Sequence, residues 1–205
     1  RAVTLAESAL VAALAALAYT YAGYPLMLLL WARIAPRPVR RAPFEPAIAI
    51  VIVVHNGAAH VGRKLASCLA QDYPPDRLRV LVASDGSDDA TCAIVEAAGD
   101  ARVRLLAFPQ RRGKAACLAD AVAACPEEVL VLTDVRQRLD PLAVRRLLEN
   151  LADPEVGAAS GALTHDREAM NGIGRGIDAY WRYEQFLRAA ESRVASMVGV
   201  TGALY

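Results

Sequence analysis

Four short apolar runs, AIAIVIVV, LRVLVA, VRLLA and VLVLT, recur between residues 47 and 133, and each ends in a polar turn followed by a helix-like stretch. Continuous apolar, β-branched runs of this length suit strands buried on both faces. Strands expected over 47–54, 78–83, 103–107 and 129–133 alternate with helices over 61–70, from Asp88 or Asp89 to 98, over 114–124 and over 141–151. A βαβαβαβ order argues for an α/β fold with a mainly parallel sheet and right-handed crossovers. Beyond it, 156–163 reads as a further strand and 177–194 as a charged, aromatic-bearing helix, suited either to a membrane interface or to the sheet as an ordinary amphipathic helix.

The turns carry the chemistry. In open α/β sheets ligands bind where strands end and helices begin. The second run ends in Asp85, the fourth in Asp134, and Lys114 opens the helix between them, so all three are expected along one crevice. The first run brings His55 and Asn56 to the same edge. A carboxylate at Asp85 can accept hydrogen bonds from a base N–H or a ribose hydroxyl, and an ammonium beside helix N–H groups suits a diphosphate. Gly86 permits the tight turn after Asp85. Asp88, Asp89 and Asp140 read as helix caps, and Arg111 and Arg112 as a solvated charge run. His60 and His165 have no Cys or acid at ligand spacing, and Asp166, Glu168 and Glu184 show no paired-carboxylate spacing.

Ahead of this lies a different chemistry. Residues 8–32 contain no charge, and roughly 20 such residues suffice to cross a bilayer core. The run is too long for a signal-peptide core, and Gly23 and Pro25, which break soluble helices, are tolerated in membrane spans. The competing reading is a buried core helix. Arg33, Arg37, Arg40 and Arg41 follow, against Arg1 and Glu7 before it, so the remainder is expected in the cytoplasm. Pro36, Pro38, Pro43 and Pro46 make a stiff connection. The resulting division is a transmembrane helix at 1–33, a Pro/Arg-rich linker at 34–46 and a catalytic-type domain at 47–205.

A formal charge of +1 gives no broad field for nucleic acid. Cys68, Cys92, Cys117 and Cys125 form no CxxC pair, so they are expected as reduced, packed thiols and not as a zinc site. The chain starts at Arg1 and stops at Tyr205 within an apolar run, which reads as a piece of a longer protein.

Taken in order, VIVVHN, ASDGSDDAT, RRGKAACLADA and LTDVRQRLDP resemble the inverting family 2 glycosyltransferases, most closely the membrane-embedded processive branch of hyaluronan, chitin-oligosaccharide and cellulose synthases. The resemblance implies a GT-A fold, Rossmann-like and incomplete at its C-terminus. It implies transfer of a sugar from a nucleotide sugar, UDP-linked by analogy, to a polysaccharide or glycolipid acceptor with inversion. The nucleotide-sugar contacts it implies are Val54, His55, Asn56, Asp85, Lys114, Asp134 and Arg136. The general base and a QxxRW-like acceptor motif are expected beyond Tyr205, so the piece alone is expected to be inactive.

Two departures stand out. Where the family has Asn-Glu, this chain has Asn56-Gly57. Where the DXD motif has its second acid, a ligand of Mg²⁺ or Mn²⁺, this chain has Arg136. Either Asp134 holds the metal with substrate phosphates and groups beyond the chain, or Arg136 partly replaces its charge. Both departures leave room for a catalytically silent nucleotide-sugar-binding or scaffold subunit. A nucleotide-binding oxidoreductase is disfavoured, because VVHNGAAHVG stands where GxGxxG would follow the first strand.

Overall fold

The computed structural model describes residues 4–163, 172–197 and 199–205. The expected readings at His165, Asp166 and Glu168 lie outside the described residues. The chain divides into two compact units, 1–39 with 164–199 and 40–163 with 200–205.

The second unit holds a four-stranded parallel sheet: β1 Ile48–Val54, β2 Leu78–Asp85, β3 Val103–Phe108 and β4 Val129–Asp134, in the order β3-β2-β1-β4. Helices α3 Ala58–Leu69, α4 Thr91–Glu96, α5 Lys114–Ala123 and α6 Ala143–Leu151 connect and cover them. On one face Ile48, Ile50, Ile52, Val80 and Val82 pack against Val61, Leu65, Val95, Val144 and Leu148 of α3, α4 and α6. On the other, Ala49, Val51, Leu81 and Ala83 meet Cys117 and Ala121 of α5. Both faces of β1 are therefore covered, which is why its sequence does not alternate. Ile48, Ile50 and Ile52 are fully buried, each contributing about 1.5–3 kcal/mol, and a charge at Ile50 would break the sheet's centre. The cysteines are free; Cys68 and Cys117 are buried, and burial pushes both thiols up to about 11.

The sequence-based elements are recovered with shifted ends. β2 and β4 each run on to their terminal aspartate, and α4 is a short helix that ends before residue 98. Residues 156–163 form no strand. Instead Gly161 N donates to Leu204 O at 2.9 Å, and the last residues lie along β4. There Leu132 N donates to Tyr205 O at 2.7 Å and Tyr205 N returns to Leu132 O at 3.0 Å.

In the first unit, α1 Leu5–Ala18 and α2 Tyr24–Ile34 join through a π-helical turn, Tyr19–Gly23. Thr4 and Glu7 close a capping box at its start. Pro25 has no N–H and its ring crowds the carbonyl four residues back, so a widened turn there lets the helix continue through the proline. The combined Leu5–Ile34 helix of 30 residues is long and apolar enough to cross a membrane. Helix α7, Gly172–Ser192, starts five residues earlier than the expected 177 and packs on α2. Tyr24 Oη donates to Glu191 Oε1 at 2.7 Å, and Leu28, Ala190 and Val194 are buried together.

Candidate functional site

The strand order places the chain's reversal between β1 and β4, with β2 and β3 on the far side of β1. A crevice is expected outside the carboxyl ends of strands at such a switch point. Register aligns these ends: Val53 pairs with Asp134, Val54 with Ser84, and Asp85 with Phe108.

Asp85 is 3% exposed, and both its oxygens accept main-chain N–H groups, Oδ1 from Arg112 at 2.7 Å and Oδ2 from Gly113 at 2.9 Å. The carboxylate thus holds the segment leading into α5, where the sequence suggested a direct ligand contact. Gly86 makes that approach possible. Its φ is 62°, and a Cβ there would lie 2.4 Å from Arg111 N and 2.7 Å from Gln110 C. Main-chain atoms cannot step aside, so only glycine fits.

The same segment arranges its own charges. Arg112 stacks its guanidinium 4.1 Å from the Phe108 ring centroid and pairs with Asp120, an exposed charge held in place by these two partners. Lys114, first residue of α5, reaches Asp134 Oδ1 at 2.6 Å. Both side chains are substantially exposed, at 61% and 40%, so this ion pair faces solvent at the crevice. Arg136 is also exposed and, among the described residues, has no ion-pair partner.

At the end of β1 the expectations separate. Val54 is buried in the core, which leaves only its backbone for a ligand. His55 is exposed and its Nδ1 lies 2.8 Å from the Asp85 carbonyl oxygen. A carbonyl only accepts, so Nδ1 carries the hydrogen in this contact. Asn56, at φ 50°, is occupied structurally: Nδ2 donates to Asp88 Oδ1 at 2.6 Å and Oδ1 accepts from Asp88 N at 3.0 Å. Asp88 therefore braces the two loops and does not cap a helix. Asp89 ties down the starts of two helices from outside their N-cap positions, Ala90 and Gly57, accepting from Thr91 N at 3.0 Å in α4 and from Ala58 N at 3.0 Å in α3. Its hydrogen bonds to Thr91 and Ala58 hold its carboxyl below the usual value. Asp140 accepts from Leu142 N at 2.9 Å in the turn before α6, whose N-cap is Leu142 and not the expected aspartate. At Gly57 a Cβ would meet Val54 Cγ2 at 2.3 Å, so the acid found there in the resembling family does not fit without moving a core valine.

The donor set fits a protein-built metal site poorly. Asp134 is a single carboxylate already paired with Lys114, and among the described residues no group of three His, Cys, Asp or Glu side chains converges. Divalent magnesium or manganese takes several oxygen ligands.

One residue was missed altogether. Lys64 of α3 is 2% exposed, and its Nζ donates to Thr133 Oγ1 at 2.7 Å and to Gln137 O at 2.8 Å. Burial lowers it to about 8. The signal was available: Val61, Lys64, Leu65 and Cys68 fall at i, i+3, i+4 and i+7, so the lysine occupies the core stripe of its helix.

A mainly parallel four-stranded sheet with this switch point and helices on both faces is an α/β fold of the GT-A type. The family model described as glycosyl transferase family 2 matches residues 49–204, and the chain belongs to that family. An N-acetylglucosaminyltransferase of Rhizobium meliloti (strain 1021) is 29% identical over 97% of this chain and 49% of its own length. The succinoglycan biosynthesis protein ExoO of the same organism is 32% identical over 51% of this chain and 29% of its own. The solved mannosyltransferase PcManGT from Pyrobaculum calidifontis, in complex with GDP-Man and Mn²⁺, superposes with a TM-score of 0.72 at 28% identity over 92% of this chain and 53% of that one. The chain spans about half the length of the first of these relatives.

Proposed function

We propose that the chain is the donor-binding part of a membrane-anchored glycosyltransferase that takes a nucleotide sugar, UDP-linked in the first instance, and serves an extracellular polysaccharide or glycolipid acceptor with inversion. The observation that carries this is the arrangement at the strand ends. Asp85 clamps the Arg112–Gly113 amides, which sets Lys114 at the start of α5 beside Asp134, at the sheet's switch point. A leaving diphosphate needs fixed positive charge, and Lys114, Arg136 and the α5 N-terminus supply it on this chain. His55, exposed at the end of β1, is the side chain that meets the base. Asp85 acts through the loop it shapes.

The Leu5–Ile34 helix serves as the anchor in this reading, and the arginines after it support a sheet on the cytoplasmic side, where nucleotide sugars are free. The relatives' activities, N-acetylglucosaminyl and mannosyl transfer, support a hexose-type donor, and ExoO supports a polysaccharide product. A divalent ion, which accompanies GDP-Man in PcManGT, would here find Asp134 and the donor's phosphates.

A silent nucleotide-sugar-binding subunit is the second reading, favoured by Gly57 and Arg136 standing where the family has acids. Calorimetric titration of the detergent-solubilised chain with UDP, GDP and uridine tests the shared premise. Binding of either diphosphate supports it; no binding of either overturns it. Sugar transfer by the longer protein then separates enzyme from silent subunit.

A further inference from the structure

Lys64 sits where a lysine is costly. A cation taken from water is tolerated when it is paired with an acid, yet its two described acceptors are a hydroxyl and a carbonyl. Both belong to the stretch that carries Asp134. Thr133 precedes it, Gln137 closes the turn after it, and Gln137 N donates back to Asp134 O at 3.3 Å. Thr133 Oγ1 passes the connection on by donating to Ala203 O at 2.8 Å. The titratable groups facing the ammonium are the Asp134 carboxylate, acting from the end of β4, and the Cys68 thiol, kept neutral by burial, one turn along α3.

From this geometry we infer that Lys64 is a positioning residue for the donor's diphosphate: it pins the Thr133–Gln137 turn from beneath and sets a buried positive charge behind Asp134, Lys114 and Arg136. The inference rests on the nucleotide-binding reading above. It accounts for a buried cation that packing alone does not need, since an apolar side chain of similar length would fill the site without the desolvation cost. It also supplies fixed positive charge from the protein at a site whose side chains fit a metal poorly.

The test compares the wild-type chain with Lys64→Met, which keeps length and burial and removes the charge. Three quantities are measured: thermal midpoint, affinity for UDP (or GDP, whichever the wild type binds) against affinity for the matching uncharged nucleoside, and amide exchange at 134–137 in the ligand-free chain. The expected result is an equal or higher midpoint, a loss of about tenfold or more in diphosphate affinity, less than about twofold loss for the nucleoside, and faster exchange at 134–137. A merely structural lysine would lower the midpoint and weaken both ligands together, and that result overturns the inference. So does a folded Lys64→Met with unchanged diphosphate affinity. Should Lys64→Met not fold, Lys64→Gln carries the same comparison, because its amide keeps two donors without the charge. Should the wild type bind no nucleotide, the proposed function falls separately, and exchange at 134–137 decides the positioning role: acceleration upholds it and no change overturns it.

Discussion

Replacing Asp85 with alanine separates two roles that a strand-end acid can play. If the carboxylate exists to touch a nucleotide, its loss leaves the free chain untouched. If it clamps the loop, the free chain pays at once. Two amide-to-carboxylate bonds are removed, at 2.7 Å and 2.9 Å, from an acid that is 3% exposed. Hydrogen bonds to charged groups contribute about 1.5–3 kcal/mol each, so full burial would set the sum near 3–6 kcal/mol. Arg112 is exposed and Gly113 half-buried, so water can reach the freed amides. Discounting for that re-solvation leaves a destabilisation of about 2–4 kcal/mol. Urea unfolding of the soluble unit, read by tryptophan-independent circular dichroism, gives the stability. Amide exchange at Arg112 and Gly113 gives the local effect, which should be large at these positions and small in β1. Asp85→Ala with stability within about 0.5 kcal/mol of wild type and unchanged exchange at both amides would refute the clamp.

Gly86→Ala should destabilise by about 2 kcal/mol or more in the same unfolding assay, because a left-handed φ and a main-chain collision at 2.4 Å act together. Lys114→Gln breaks an exposed ion pair, so stability should change by less than about 1 kcal/mol while calorimetry shows weakened UDP binding. Arg136→Asp should make UDP binding more dependent on Mg²⁺ or Mn²⁺, and equal affinities for wild type and variant in metal and in chelator would remove the charge-replacement role. The pH dependence of Lys64 has a definite sign. Its ordinary value of 10.5 is lowered to about 8 by burial, so between those limits the unfolded chain binds the extra proton. Stability of wild type relative to Lys64→Met should therefore rise from about pH 8 to 10.5, and a flat difference would contradict the lowered value.

The sheet was legible because its four runs are apolar without alternation and each is followed by a helical stretch, so strand type and parallel pairing followed from composition alone. The strand at 156–163 was misread, since GAASGAL is apolar enough to pair but its glycines leave it held by single contacts such as Gly161 to Leu204. At the site, the positions of Asp85, Lys114 and Asp134 were legible from strand ends, but their partners were not. That Asp85 would turn to the Arg112 and Gly113 amides, or Asn56 to Asp88, depends on loops that approach one another across more than 25 residues of sequence. Lys64 escaped because the helix was placed from its apolar residues, and a charge on the apolar stripe is visible only when the stripe is drawn through it.

The residues lying along β4 have a further consequence for handling the molecule. Without them the amides of Leu132 and Asp134 would stand open on an outer strand whose neighbouring residues, VLVLT, are prone to stack with copies of themselves. The Ala203–Tyr205 stretch closes that side with antiparallel hydrogen bonds. Shortening the chain before residue 203 should therefore turn a soluble sheet into one that recruits other sheets, seen as concentration-dependent light scattering before any change in the helical signal.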